Sequence, residues 1–284
     1  MDREFVFSLL TVLLAGVTVL TSATLAPRPR AEPSVEARER RCWRALWRPL
    51  MPATLVVAGL CGWVAVEPDP MERMPRLLIL AAVPFCAIWT RAVWRALAGL
   101  VSGPGTAAAV SLGFVRPGIL VSPAFARAVD ASALQAACVH EEAHARHHDP
   151  IRLWLARLAT DLQWPLPAAR RRFAQWRQAL ELARDQEARG HGADGADLAA
   201  AVLAAVRLEV VAAGPAASLH NVCEAEFLTE RVARLLAPVD AEAGRRSETP
   251  ATVTLPALTA IWTLAILIGA TFGERAVRLL FRLG

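Results

Sequence analysis

The 284-residue sequence predicts a mainly α-helical membrane protein: four transmembrane helices, an α-rich cytosolic domain and one short β-hairpin. Three observations point there. The composition is 55% hydrophobic and mean hydropathy is positive, both high for a soluble chain. Residues 5–26 and 252–272 are uncharged apolar stretches of about 21–22 residues, enough at about 1.5 Å per residue to cross a hydrocarbon layer of about 30 Å. Between them lies a long charged stretch that carries H-E-x-x-H at His140, Glu141 and His144.

The first spanning segment is FVFSLLTVLLAGVTVLTSATLA, about 5–26. A cleaved signal peptide is the competing reading, but the leading MDRE is net negative where a signal peptide is positive. Segments two and three, about 49–66 (PLMPATLVVAGLCGWVAV) and 75–91, are shorter, and the third needs Arg76 and Arg91 to snorkel outward. The polar EPDPMERMPR between them is a tight connector. Residues 1–91 therefore form the membrane region, 92–237 a soluble domain, 238–250 a linker, 251–272 the fourth span and 273–284 a short tail.

Charge sets the expected orientation. Seven arginines, Arg28, Arg30, Arg38, Arg40, Arg41, Arg44 and Arg48, follow the first segment, and short arginine-rich loops stay in the cytoplasm. The N-terminus is then outside and 92–250 inside; Arg275, Arg278 and Arg282 in the tail count the other way and are outweighed. All 31 basic residues are arginine, and membrane-flanking loops account for much of that charge, so no direct nucleic-acid binding is expected. The five cysteines have no C-x-x-C spacing, so neither a disulfide framework nor a cysteine zinc site is indicated. Cys138 reads as a small buried residue beside the motif.

In the soluble stretch, SLGFVRPGILVSP (111–123) places β-formers on both sides of Pro117-Gly118, the pair that fits the centre of a type II turn. Residues 131–148 read as a helix capped by Asp130 or Ser132, and Asp149-Pro150 ends it and can cap the next. The following helix, 151–163, fits a core position or the membrane surface equally well. Further helices are expected at 168–189, containing ELARDQEA, at 197–213 and at 224–236, the last two as core elements.

On a helix, His140 and His144 differ by about 40° in azimuth and about 6 Å in rise, so both imidazoles can meet one zinc ion, with Glu141 beside it to take a proton from the attacking water. His147 lies about 10 Å beyond His140, too far to share an ion with it. His148 has Ala145 where the base would stand, so His147 and His148 are read as surface or structural residues. A third protein ligand is required, and position 150, six residues past His144, is proline. The alternative is a glutamate on a second helix. Glu181 fits, with Asp185 one turn on and able to hold the outer nitrogen of a ligating histidine. Alone, these two acids would be ordinary solvated helix charges; beside H-E-x-x-H they become ligand and support.

These residues resemble the BlaR/MecR-type integral-membrane zinc metallopeptidases, a gluzincin family with the pattern HExxH…ExxxD. The resemblance covers about 110–237: the hairpin, HEEAHARHHDP, ELARD and FLTERVARLL. It implies one zinc ion per chain held by His140, His144 and Glu181, Glu141 as general base, and Asp185 as support. It also implies a multi-pass protein of the bacterial cell membrane whose cytoplasmic protease cuts a protein substrate, such as a winged-helix repressor, in signal transduction. The family's penicillin-binding sensor domain is not expected: about a dozen residues follow Phe272, and a chain without lysine has neither S-x-x-K nor K-T-G. The chain has no tyrosine to steady an oxyanion, and His220 or an arginine stays open for that role. Membrane-protein quality control, and a non-catalytic transducer that keeps the fold, are the alternative functions. The charged neighbours Glu142, Arg146 and Asp149 disfavour an intramembrane site. The hairpin edge offers an extended substrate a strand to pair with.

Overall fold

The computed structural model describes residues 3–25, 34–66, 76–101, 109–112, 118–213, 222–238 and 255–283. Helix α1 (Arg3–Leu25) coincides with the first apolar stretch. The arginine-rich segment after it is not a loop throughout. Helix α2 (Val35–Trp47) starts where Ser34 Oγ accepts from the Ala37 amide at 3.2 Å, and buries Glu39, Cys42, Ala45 and Leu46 while its arginines line the other sides. Its helical period, carried by Glu39, Cys42 and Leu46, is diluted in the sequence by the arginines between them.

Helix α3 (Met51–Val66) follows α2 across a 41° bend. At 16 residues it is about 24 Å long, short of the hydrocarbon layer on its own. Among the described residues three helices are long and apolar enough to cross a membrane, Phe5–Leu25, Arg76–Leu100 and Thr259–Leu280, and the bent pair α2–α3 makes a fourth if it counts as one span. Helix α4 (Arg76–Val101) runs ten residues past the expected end of the third segment. There Arg91 and Arg95 reach Asp161 at 3.1 and 3.0 Å, tying the helix to the soluble part. Helix α11 (Leu255–Leu283) likewise continues through the expected tail, with Glu274 and Arg278 paired one turn apart.

The apolar helices α3 and α11 pack through small residues. A Cβ at Gly62 would lie 1.9 Å from the Ile266 carbonyl oxygen, and one at Gly269 1.8 Å from that of Gly59, so α3 and α11 touch backbone to backbone. Val6, Leu10, Leu60, Trp63 and Val277 close the core of α1, α3 and α11.

Strands β1 (Ala109–Leu112) and β2 (Gly118–Val121) pair antiparallel, Ala109 opposite Val121 and Leu112 opposite Gly118. The expected Pro117-Gly118 turn lies outside the described residues, as do His220 and the expected linker beyond Pro238. A short helix the sequence did not signal, α5 (Pro123–Ala128), follows with Ser122 as its cap. Then come α6 (Ala131–Arg146), α7 (Asp149–Leu162), α8 (Pro167–Gly190), α9 (Gly195–Ala213) and α10 (Val222–Leu236). Of the two candidate caps for α6, Asp130 takes the place, accepting from the Ala133 amide at 2.8 Å.

Helices α2, α7 and α8 share a core of Cys42, Leu46, Ala156, Trp176, Ala179 and Leu180, which resolves the two readings of α7 in favour of packing. Fully buried Gln163 joins these helices to α1. Its amide donates to the Leu46 and Ala159 carbonyls and its oxygen accepts from Arg172, which also donates to the Ala23 carbonyl at the end of α1.

Candidate metal centre

Helix α6 carries His140, Glu141 and His144, and α8 crosses it with Glu181 and Asp185. The four-residue spacing stacks the imidazoles on one face of α6 with ring centroids 4.8 Å apart and the two Nε2 atoms 3.1 Å apart. Glu181 presents Oε2 3.5 Å from His140 Nε2 and Oε1 3.9 Å from His144 Nε2. Ligands about 2.0–2.1 Å from a tetrahedral zinc lie about 3.4 Å from one another; the two Nε2 atoms and the His140–Glu181 pair are near that spacing, and the His144–Glu181 pair, through the other carboxylate oxygen, is wider. The histidines are buried, and Glu181 is partly exposed.

Both outer ring nitrogens face carboxylates. His140 Nδ1 lies 3.0 Å from Oδ1 of Asp185, the acid the sequence offered for this position, without hydrogen-bond geometry. His144 Nδ1 lies 2.9 Å from Asp149 Oδ2, a contact it did not anticipate. A proton on each Nδ1 would leave both Nε2 atoms, 3.1 Å apart, free for a metal, the tautomer that ligation requires. Donor types, spacing and tautomers thus fit a divalent metal such as zinc.

Asp149 was expected to cap α7. Instead it is the first residue of that helix, the cap position passing to His148 in a left-handed conformation (φ 53°). That sharp corner turns the Asp149 side chain inward, where Arg184 donates through Nε and Nη2 at 2.6 and 3.2 Å and Arg152 through Nη1 at 2.8 Å. Charge-assisted bonds of this kind outweigh a cap to a neutral amide. Burial alone would raise the Asp149 carboxyl, yet His144 and Arg184 hold it far below the usual carboxylate range. The available signal was its place five residues past His144, just beyond a two-residue corner.

Arg231 of α10 was also missed, because α10 read as a core helix. Its guanidinium lies 3.0 Å from Glu181 Oε2 and 2.6 Å from Asp185 Oδ2, with Nη2 3.4 Å from His140 Nε2. The charge of Glu141, the expected base, also acts on this cation. Burial would raise the Glu181 carboxyl, but Arg231 and the histidines bring it well below the ordinary value. Burial lowers His140, whereas Asp185 and Glu181 push it up to about 9. Excess negative charge of this kind is what a divalent ion neutralises.

His147 and His148 stay outside the cluster: His147, half exposed, pairs with Glu187 at 2.9 Å, and His148 makes the corner. Cys138 is half-buried on α6, less enclosed than expected, and offers no ligand to the group. Among the described residues His140, His144 and Glu181 form the set whose ligand atoms all lie within 4.8 Å of one another.

Residues 100–235 match the family model described as BlaR1 peptidase M56. Over that region, just under half of the chain, the protein is similar to the M56 peptidases. The match takes in the hairpin, the H-E-x-x-H helix and α8 with Glu181 and Asp185, and ends in α10 just past Arg231. M56 proteins are metallopeptidases, and the apolar helices α1, α4 and α11 fit the membrane association of the M56 family. Neither a curated protein nor a solved structure matches the chain significantly.

Proposed function

We propose that the chain is a membrane-embedded zinc metalloendopeptidase that cuts a protein substrate at the cytosolic face, with a transcriptional repressor of winged-helix type as the substrate in a signalling relay. The observation that carries this reading is the convergence of His140 Nε2, His144 Nε2 and a Glu181 oxygen within an M56 peptidase region. Residues 92–237 form the catalytic domain, and the first-loop arginines hold it in the cytoplasm with the N-terminus outside.

His140, His144 and Glu181 would hold the zinc, which when bound supplies Lewis acidity toward the scissile carbonyl and toward water. Glu141 takes the proton of the attacking water and delivers it to the leaving amine, breaking the peptide C–N bond. Asp185 and Asp149 keep the imidazoles in the ligating tautomer. The exposed β2 leaves room for an extended substrate to bind by main-chain hydrogen bonds.

Co-expression of the full chain with a candidate winged-helix repressor tests the reading. The native protein is expected to yield a cut repressor and Glu141→Gln to leave it whole. A cut by the Glu141→Gln protein would refute the role of Glu141, and an intact repressor with the native protein would remove the repressor as substrate.

A further inference from the structure

Behind the candidate metal ligand His144 a line of buried charge runs to a helix that no sequence motif marks. His144 Nδ1 contacts Asp149 Oδ2 at 2.9 Å, and Asp149 Oδ1 accepts from Arg152 at 2.8 Å. Arg152 Nη2 in turn donates to Glu39 Oε1, on α2. Glu39 is 7% exposed and also accepts from Trp176 Nε1 at 3.0 Å. The Arg152 guanidinium is gripped from the same direction by rings, its carbon 4.9 Å from the Trp43 centroid and 5.8 Å from that of Trp176. Helix α2 thus supplies both an anion and an aromatic face to an arginine that otherwise serves only Asp149.

We propose that Glu39 is a positioning residue of the metal centre: by fixing Arg152 it fixes the Asp149 carboxylate and hence the ring of His144, so that the seat of α2 sets how well the site holds its metal. This rests on the reading of His140, His144 and Glu181 as metal ligands. A long, partly buried arginine without its second anion swings toward the remaining one or toward water, and the Asp149 carboxylate, whose Oδ1 accepts from both Arg152 and Arg184, loses one of its two fixed guanidiniums. Because α2 passes through a 41° bend into apolar α3, which packs backbone to backbone on α11, Glu39 gives a shift of these helices a polar route to His144 beside the apolar contact of α2 with α8.

The test uses the full chain in lipid nanodiscs, with zinc affinity read by chelator competition and ligand geometry by the visible spectrum of the Co2+ form. Glu39→Gln is expected to weaken zinc binding by about three- to tenfold and to change the Co2+ bands; partners beyond the ligand shell cost about 10–100-fold when adjacent to it, and Glu39 stands two contacts further out. Glu39→Asp, which keeps the charge but withdraws it by one methylene, is expected to weaken binding less. Glu36→Gln on the same helix and His144→Ala at the site are the controls, the first expected to match the native protein and the second to lose the metal. Native affinity and bands in Glu39→Gln, with His144→Ala metal-free, would overturn the proposal while leaving the metal site standing. Equal weakening by Glu36→Gln would overturn it too, as a general effect of charge on α2. Native zinc binding by His144→Ala would overturn the ligand set beneath it. If Glu39→Gln does not fold, Glu39→Asp decides by the same criterion.

Discussion

Replacing Asp149 removes the acceptor on which most of the buried polar structure of the site converges. Four contacts end on its carboxylate: Arg184 at 2.6 and 3.2 Å, Arg152 at 2.8 Å and His144 at 2.9 Å. It is 3% exposed, and the Arg184 side chain is 6% exposed, so Asp149→Ala leaves a guanidinium in the interior with only Glu187 to answer it. Breaking a buried ion pair by removing one partner costs about 3–5 kcal/mol. At about 2–4 °C per kcal/mol for a folding unit of 150–250 residues, the unfolding midpoint is expected to fall by roughly 6–20 °C. Asp149→Asn keeps the shape and one acceptor and should cost roughly half as much. Loss of the carboxylate behind His144 should also weaken zinc binding about 10–100-fold in either variant. The assays are thermal unfolding of the metal-free protein in nanodiscs and zinc competition on the folded protein. A midpoint for Asp149→Ala within about 2 °C of native, with unchanged zinc affinity, would refute the argument that this carboxylate organises the site.

Two further predictions follow from other contacts. Gly269→Ala would drive a Cβ to 1.8 Å from the Gly59 carbonyl oxygen, so α3 and α11 must separate, and a loss of about 1–3 kcal/mol in thermal or denaturant unfolding is expected; an unchanged midpoint would show that these helices are not held by backbone contact. Burial raises the Glu187 carboxyl, but His147, Arg146 and Arg184 lower it further, leaving it below its ordinary value. A depressed carboxyl contributes stability that is present above the ordinary value of about 4.3 and is lost as pH falls through the folded one. The gap in midpoint between native and Glu187→Gln protein should therefore be full at pH 7 and close below about pH 4, and a pH-independent gap would contradict the ion pairing.

The parts of the site that were legible in the sequence are those fixed by helical period. His140, Glu141 and His144 share a face because positions four apart always do, and Glu181 with Asp185 repeats that geometry on the partner helix. What the period does not contain is which distant side chains fill the space behind a ligand. Asp149 lies next to the motif, yet its inward turn depends on His148 adopting a left-handed corner and on Arg184 arriving from another helix. Arg231 and Glu39 come from α10 and α2, and their meeting with α6, α7 and α8 is a product of packing. In α2 the pattern of Glu39, Cys42 and Leu46 was present but diluted by arginines. The ends of the apolar segments shifted for a related reason: α4 and α11 carry their arginines onward as helix because Asp161 and Glu274 receive them, so a charge that closes a hydropathy window does not end a helix.

The central claim, that His140, His144 and Glu181 hold a catalytic zinc served by Glu141, is tested most directly by counting metal in the purified full chain. The account predicts one zinc per chain in the native and Glu141→Gln proteins, with cleavage confined to the native form, and loss of the metal in His144→Ala. A native protein that stays metal-free in zinc-replete buffer, or a His144→Ala protein that keeps its zinc, would contradict it.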